Sequence, residues 1–238
     1  MALYRDDGIV LRTHKLGEAD RVVVLLTAQH GKLRAVAKGV RKTKSRMGAR
    51  LEPMSHVALQ LYHGWGELET VSQAESIDHF RAVRDNLDRL TKALSLLEVV
   101  DQIAPDREPV PRLHSMLLGG LRALAATDAA MLVPAFYLKL LASEGVGPHV
   151  SACVSCGSPE DLVAFDPTEG GVLCRNCRRG FPITAKALEL LRRTLGGGLV
   201  GVLNEPASAT THELEVLANR AMEAHLERKL RVAGIIDR

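Results

Sequence analysis

Aromatic side chains are scarce in this chain of 238 residues: Tyr4, Tyr62, Trp65, Phe80, Phe136, Tyr137, Phe165 and Phe181 are all there are. A surface that grips single strands chiefly by stacking on bases needs such rings, so stacking is excluded as the main source of any nucleic-acid affinity. No apolar run reaches the roughly 20 residues of a membrane span, and no basic leader followed by an apolar run opens the chain. Those two absences predict a cytoplasmic protein. All four cysteines fall between Cys153 and Cys177, leaving none elsewhere for a long-range disulfide.

Catalytic signatures are also missing. There is no G-x-x-x-x-G-K-[ST] loop, no H-E-x-x-H helix, no G-x-S-x-G elbow and no dinucleotide fingerprint. The nine histidines are scattered and read as surface or core residues rather than ligands. Asp6 with Asp7, and Glu18 with Asp20, are carboxylate pairs of the kind a two-metal nuclease uses. Nothing in the sequence places a further carboxylate or a histidine beside them, so turn chemistry is their better account. The expectation is a protein that is not an enzyme.

What the chain does have is concentrated positive charge. Lys32 to Arg50, KLRAVAKGVRKTKSRMGAR, holds Lys32, Arg34, Lys38, Arg41, Lys42, Lys44, Arg46 and Arg50 and no acidic residue. The whole chain has a formal charge of only +3, so the remainder is net negative. Such clustering is tolerated where water screens it or a polyanion neutralises it. A solvated loop is one reading and a nucleic-acid surface the other. Gly39, Ser45 and Gly48 within the run favour the second, because they bring backbone N–H groups and a hydroxyl close to phosphates.

The first 75 or so residues read as five short strands: Tyr4–Arg12, Arg21–Thr27, Gly31–Val40, Val57–Tyr62 and a brief one over Glu67–Val71. Five strands in that length predict a small oligonucleotide-binding (OB-type) β-barrel. Trp65, between two glycines, either stacks on a base or packs on the barrel rim. From Ser76 onward the apolar period is helical. Leu87, Leu90, Leu94, Leu97 and Val100 make one stripe, ending before Pro105, and Leu113, Leu117, Leu121 and Leu124 make a second. Pro134–Ser143 is apolar nearly all round, which predicts a buried helix. Thr184 is placed to cap a helix over Ala185–Leu195, and Thr210 with Glu213 reads as a capping box for the last helix. The predicted architecture is α+β: an OB-type barrel over residues 1–78, then a mostly α-helical domain over 79–238.

Cys153-x2-Cys156 and Cys174-x2-Cys177 are separated by 17 residues, inside the range of zinc sites. Two such knuckles complete a tetrahedron of thiolates around one Zn²⁺ and leave no open position for water, so a structural ion is expected, ordering a segment at about 151–181. A redox dithiol pair is the minor alternative. Arg175, Arg178 and Arg179 beside the second knuckle either balance the thiolate charge or contact phosphate.

Together these motifs resemble one family. YRDDGIVLRTHKLGEADRVVVLLTAQHGKLRAVAKGVRKTKSR is similar to the opening of the bacterial RecO recombination-mediator family, and the helical part with its C-x2-C pairs extends the resemblance over essentially the whole chain. Not every family member keeps all four cysteines; this chain does. The resemblance implies DNA repair and recombination by binding single- and double-stranded DNA, annealing complementary strands and, with RecR, helping to load RecA onto DNA coated by single-strand binding protein. It puts the DNA-facing segment at Lys38, Arg41, Lys42, Lys44 and Arg46, with Lys32 and Arg34 beside it. It also implies a cytoplasmic protein that joins the nucleoid during repair, and contacts between its helical part and the acidic tail of single-strand binding protein. The rival readings are a zinc-ribbon module binding RNA or protein in ribosomal or transcriptional machinery, and a metal-dependent nuclease.

Overall fold

A computed structural model describes residues 3–42, 45–63, 66 and 68–232. Five strands, β1 Leu3–Leu16, β2 Asp20–Thr27, β3 Gly31–Ala37, β4 His56–His63 and β5 Glu69–Asp78, form a closed barrel in the order β1-β2-β3-β5-β4. This is the expected five-stranded barrel. All its pairings are antiparallel except β3 with β5, which run parallel through Ala35–Glu69 and Val36–Thr70. β1 serves two partners: Leu3–Ile9 pairs with β4 and Gly8–Leu16 with β2, with an irregularity between Val10 and Arg12 where the strand bends from one to the other.

Alternation builds the barrel interior. Leu33, Ala35 and Ala37 of β3 point inward with Val57, Leu59 and Leu61 of β4 and Val23 and Leu25 of β2. β2 is buried on both faces from Val22 to Thr27, which is why it reads as an unbroken apolar run. β5 is longer than the short strand expected, because its second half, with Gln73, Glu75, Ser76, Ile77 and Asp78 exposed, carries no apolar alternation. Backbone pairing with β4 holds it in place. The helical region accordingly starts at Arg81 rather than Ser76. A five-residue helix, α1 Arg46–Arg50, had no sequence signal; it is too short for one and contains Gly48.

The chain forms two compact units, Met1–Ala126 and Thr127–Arg238. The first joins to the barrel α2 Arg81–Arg84, α3 Leu87–Ile103 and α4 Pro111–Ala126. On α3 the buried face is Ala93, Leu96, Leu97, Val99 and Val100, whereas Leu87, expected to open the stripe, is 79% exposed on the first turn. On α4 the predicted stripe of Leu113, Leu117, Leu121 and Leu124 is buried as expected, and His114 is buried with it. The last turn of α3 and the segment after it lie on the β2–β3 hairpin: Lys32 Nζ donates to the Asp101 carbonyl at 2.9 Å and pairs with Asp106 at 3.2 Å, and the Arg107 amide donates to the Lys32 carbonyl at 2.9 Å.

In the second unit α5 Leu132–Ser143 is buried on almost every side, as its composition predicts, and packs against α6 Ala185–Gly196, α7 Leu199–Leu203 and α8 Ala209–Leu226. Thr184 caps α6 through the Ala187 amide. The capping box of α8 is formed by Ser208 and Thr211, not by Thr210 and Glu213. Glu213 lies too far into the helix to reach back to its start. Instead it accepts from the Thr184 amide at 2.6 Å and the Thr184 hydroxyl at 2.8 Å, linking α8 to the start of α6. No helix among the described residues is long and apolar enough to cross a membrane.

Gly31 shows how closely the 101–108 segment sits on the hairpin. It has φ +71°, and a Cβ there would lie 1.9 Å from the Glu108 carbonyl oxygen. Gly31→Ala is expected to lower the unfolding free energy by about 3 kcal/mol. Gly17→Ala, also at positive φ but with no atom within 4 Å of the added carbon, should cost only about 1–2 kcal/mol. Urea denaturation of the two variants checks the difference.

Candidate nucleic-acid interface and metal centre

The basic stretch leaves β3, turns at Gly39 and enters α1. Its connection is docked on the β1–β2 turn: the Gly39 amide donates to Asp20 Oδ1 at 2.7 Å, the Arg41 amide to the Ala19 carbonyl at 2.9 Å, and the Arg41 guanidinium to the Gly17 carbonyl at 2.9 Å. Two chain turns therefore hold one another at one end of the barrel. Asp20, read from sequence as a half of a carboxylate pair, is used here to cap a backbone amide.

The eight basic residues do not share one role. Arg34 on β3 and Lys38, Arg41 and Lys42 in the connection are exposed. Lys32 has only 15% of its side chain exposed and is engaged by Asp101 and Asp106, while Arg50 is half-buried and donates to the Ala74 carbonyl at 2.8 Å. Lys44 and the side chain of Arg46 lie outside the described residues, as does Trp65. Lys15, exposed near the end of β1, is a basic residue on the same part of the barrel that lies outside the run: its strand neighbour is Arg21, whose own neighbour on β3 is Ala37, next to Lys38. Only strand pairing brings it there. Among the barrel aromatics, Tyr4 is half-buried and packed on the His30 ring at 4.6 Å between centroids.

The four cysteines come together in the second unit. β6 Leu162–Asp166 pairs with β7 Gly171–Cys174 and with the short β8 Phe181–Pro182, giving a small sheet where sequence alone offered only an irregular segment. Cys153 and Cys156 lie on one turn, closed by the Gly157 amide on the Cys153 carbonyl at 2.8 Å. Cys174 ends β7, and Cys177 closes the 3-10 turn that follows. The four Sγ atoms all lie within 4.8 Å of one another, and Cys156 and Cys174 are 3.7 Å apart. Four thiolates at 2.3 Å from one ion would be about 3.8 Å apart. The set is therefore of the size a single metal ion requires.

Their ionisation points the same way. Burial pushes the Cys153 thiol up, but backbone amides of Cys174, Cys156 and Ser155 outweigh it and bring its pKa down to about 6. Cys177, beside Cys156 and Cys174, is pushed up to about 12. Crowding of four sulfurs opposes their all being thiolates unless a cation is held among them. Arg175 and Arg178 are exposed, whereas Arg179 is paired with Glu169 and lies 3.5 Å from Asp166. Arg179 is thus held by carboxylates of the module itself.

One sequence reading is overturned. Asp6 and Asp7 are not turn residues; they sit inside β1, and histidines do lie beside them. Asp6 accepts from the Asp7 amide and meets His30 Nδ1 at 2.6 Å. Asp7 meets His56 Nε2 at 2.7 Å and stands 3.8 Å from His114 Nε2. Burial holds the His114 imidazole below its ordinary pKa, against the pull of Asp7. These partners come from β4, α4 and the β2–β3 turn, at separations of up to 107 residues that no local pattern marks.

A family model described as Recombination protein O N terminal matches residues 1–80, and one described as Recombination protein O C terminal matches residues 84–233. The chain is 42% identical over 246 aligned positions to a protein named DNA repair protein RecO from Nocardioides sp. (strain ATCC BAA-499 / JS614), with 99% of this chain and 100% of that protein covered.

Because the four thiols belong to a small sheet of the second unit, removing any metal they hold should act locally. Treatment with a chelator under reducing conditions is expected to make all four thiols reactive and to speed amide exchange in β6 and β7, with exchange in β2 and β3 unchanged. Mass spectrometry after deuteration checks this, and equal loss of protection in β2 and β3 would contradict it.

Proposed function

The chain belongs to the recombination protein O family of DNA repair proteins, and from that premise we propose that it is a non-catalytic mediator that holds DNA by its phosphates and anneals complementary strands. The observation that carries this reading is the exposure of Arg34, Lys38, Arg41 and Lys42 on one strand and its following connection. Lys44 and Arg46 belong to the same basic run of sequence. Lys32 and Arg50 serve the fold instead, through their bonds to the Asp101 and Ala74 carbonyls.

Phosphate contact without stacking suits annealing. Neutralised backbones repel each other less, and base edges left untouched are free to pair. The half-buried, ring-packed Tyr4 fits this division of labour, since it is not available as a stacking platform. Binding of single and double strands follows from the same chemistry, because phosphates are common to both. With RecR as partner, the protein would help RecA replace single-strand binding protein, whose acidic tail would meet the helical part. Family membership supports that role.

The metal of the cysteine cluster is, on this reading, one structural Zn²⁺. Two C-x2-C knuckles supply four sulfurs, borderline-soft Zn²⁺ accepts them tetrahedrally, and no coordination position is left for chemistry. Its binding energy would add to the burial of Phe165, Val172 and Leu173 in ordering a short-stranded segment.

Replacing Arg34, Lys38, Arg41 and Lys42 together by Ala should lower the slope of log affinity against log salt by roughly two to three on a single-stranded oligonucleotide, about 0.7 per lost phosphate contact. Annealing of complementary strands coated with single-strand binding protein should be lost with it. Lys32→Ala should leave the slope unchanged while lowering stability. An unchanged slope in the quadruple variant, or cleavage of the DNA on long incubation with Mg²⁺ or Mn²⁺, would refute the reading.

A further inference from the structure

Asp7, His56 and His114 form a second cluster of metal-ligand type, in the first compact unit and separate from the cysteines. Asp7 lies on β1 opposite Ala58, and His56 lies on β4 opposite Ile9, so the two are diagonal neighbours on one face of the β1–β4 ladder. His114 enters from the first turn of α4. One donor atom from each residue lies within 4.8 Å of the others. His56 and His114 are buried, with side chains 6% and 7% exposed, while Asp7 at 37% keeps one side open to solvent.

Hydrogen bonding leaves this cluster incomplete. Asp7 Oδ2 is 2.7 Å from His56 Nε2 but 3.8 Å from His114 Nε2, too far for a bond. Among the described residues, His114 Nε2 and His56 Nδ1 are buried with no hydrogen-bond partner. An orphaned ring nitrogen at such a position is costly, and His114 Nε2 stands 3.8 Å from the Asp7 carboxylate. Two imidazoles and a carboxylate also form a recognised donor set for divalent transition ions. Around an ion with bonds near 2.05 Å the donors would stand about 3.3 Å apart, between the two observed separations. Changes of about half an ångström in these two separations would bring the Asp7 carboxylate to that distance from both imidazoles.

We propose that Asp7, His56 and His114 bind one divalent transition-metal ion of the imidazole-preferring class, such as Zn²⁺, and that this ion fastens α4 to strands β1 and β4. Oxygen-seeking ions such as Mg²⁺ are disfavoured by the two imidazoles. The neighbouring carboxylate does not join. Asp6 faces the other side of β1, where it accepts from the Asp7 and Gln29 amides and meets His30. A single available carboxylate gives one ion, not the bridged pair of a two-metal nuclease. The fourth position, on the exposed side of Asp7, is left to water.

The test is a Co²⁺ and Zn²⁺ titration of the full chain, stripped of metal under reducing conditions. Two equivalents are expected. One shows intense thiolate-to-cobalt absorption and is lost in the Cys156→Ser, Cys177→Ser variant. The other shows only weak ligand-field absorption, persists in that variant, and is weakened more than about 100-fold in His56→Gln, His114→Gln, beyond what losing a mere outer-shell partner costs. Should that double variant fail to fold, Asp7→Asn serves in its place, since it keeps a hydrogen-bonding oxygen beside His56 but removes the charge that holds the ion. A single equivalent confined to the cysteines would overturn the proposal, as would a second equivalent indifferent to His56, His114 and Asp7.

Discussion

The two-sided hydrogen bonding of β1 is the constraint on which the first unit depends. One strand of 14 residues pairs with β4 along its first half and β2 along its second, and the irregularity between Val10 and Arg12 bends it through the angle that closure needs. The short parallel contact between β3 and β5 then completes the ring with only two residue pairs. A closed barrel has no open edges to pair with another chain, and side chains on successive strands acquire fixed neighbours. Asp7 meets His56 for that reason.

Closure also sorts the basic stretch. Alternation along β3 turns Leu33, Ala35 and Ala37 inward and leaves Arg34 outside. Past Ala37 the chain no longer alternates, and backbone bonds to Ala19 and Asp20 pin it to the β1–β2 turn. Charge that is local in sequence is thereby split into side chains that face water and side chains, Lys32 and Arg50, that end buried carbonyls. The first kind is open to solvent, and the second ties the barrel to neighbouring backbone.

The two units solve the problem of order differently. The barrel and α3–α4 bury continuous apolar faces, and the 101–108 segment is fitted so tightly to the hairpin that Gly31 admits no side chain. The module around β6, β7 and β8 has only 11 strand residues, buries Phe165, Val172 and Leu173, and brings its four sulfurs together. Arg179, bound to Glu169, adds a local ion pair rather than a free cation. A metal ion held by the four sulfurs would add to that burial in keeping so small a sheet in shape.

Much of this was legible in residue order. Strand and helix periods, the cap at Thr184, the buried character of α5, the two C-x2-C knuckles and the clustering of positive charge are all local patterns, set by backbone geometry and side-chain type within a few residues. The second half of β5 was not legible, because polar residues paired only through their backbone leave no apolar alternation to read. Glu213 was misread as part of a capping box because the sequence shows its spacing from Thr210 but not the nearness of Thr184. The meeting of Asp7, His56 and His114, and the withdrawal of Lys32 and Arg50 from the basic surface, were decided only by tertiary structure. They join positions far apart in the chain, and such contacts exist only after strand pairing and helix docking have closed the loops between them.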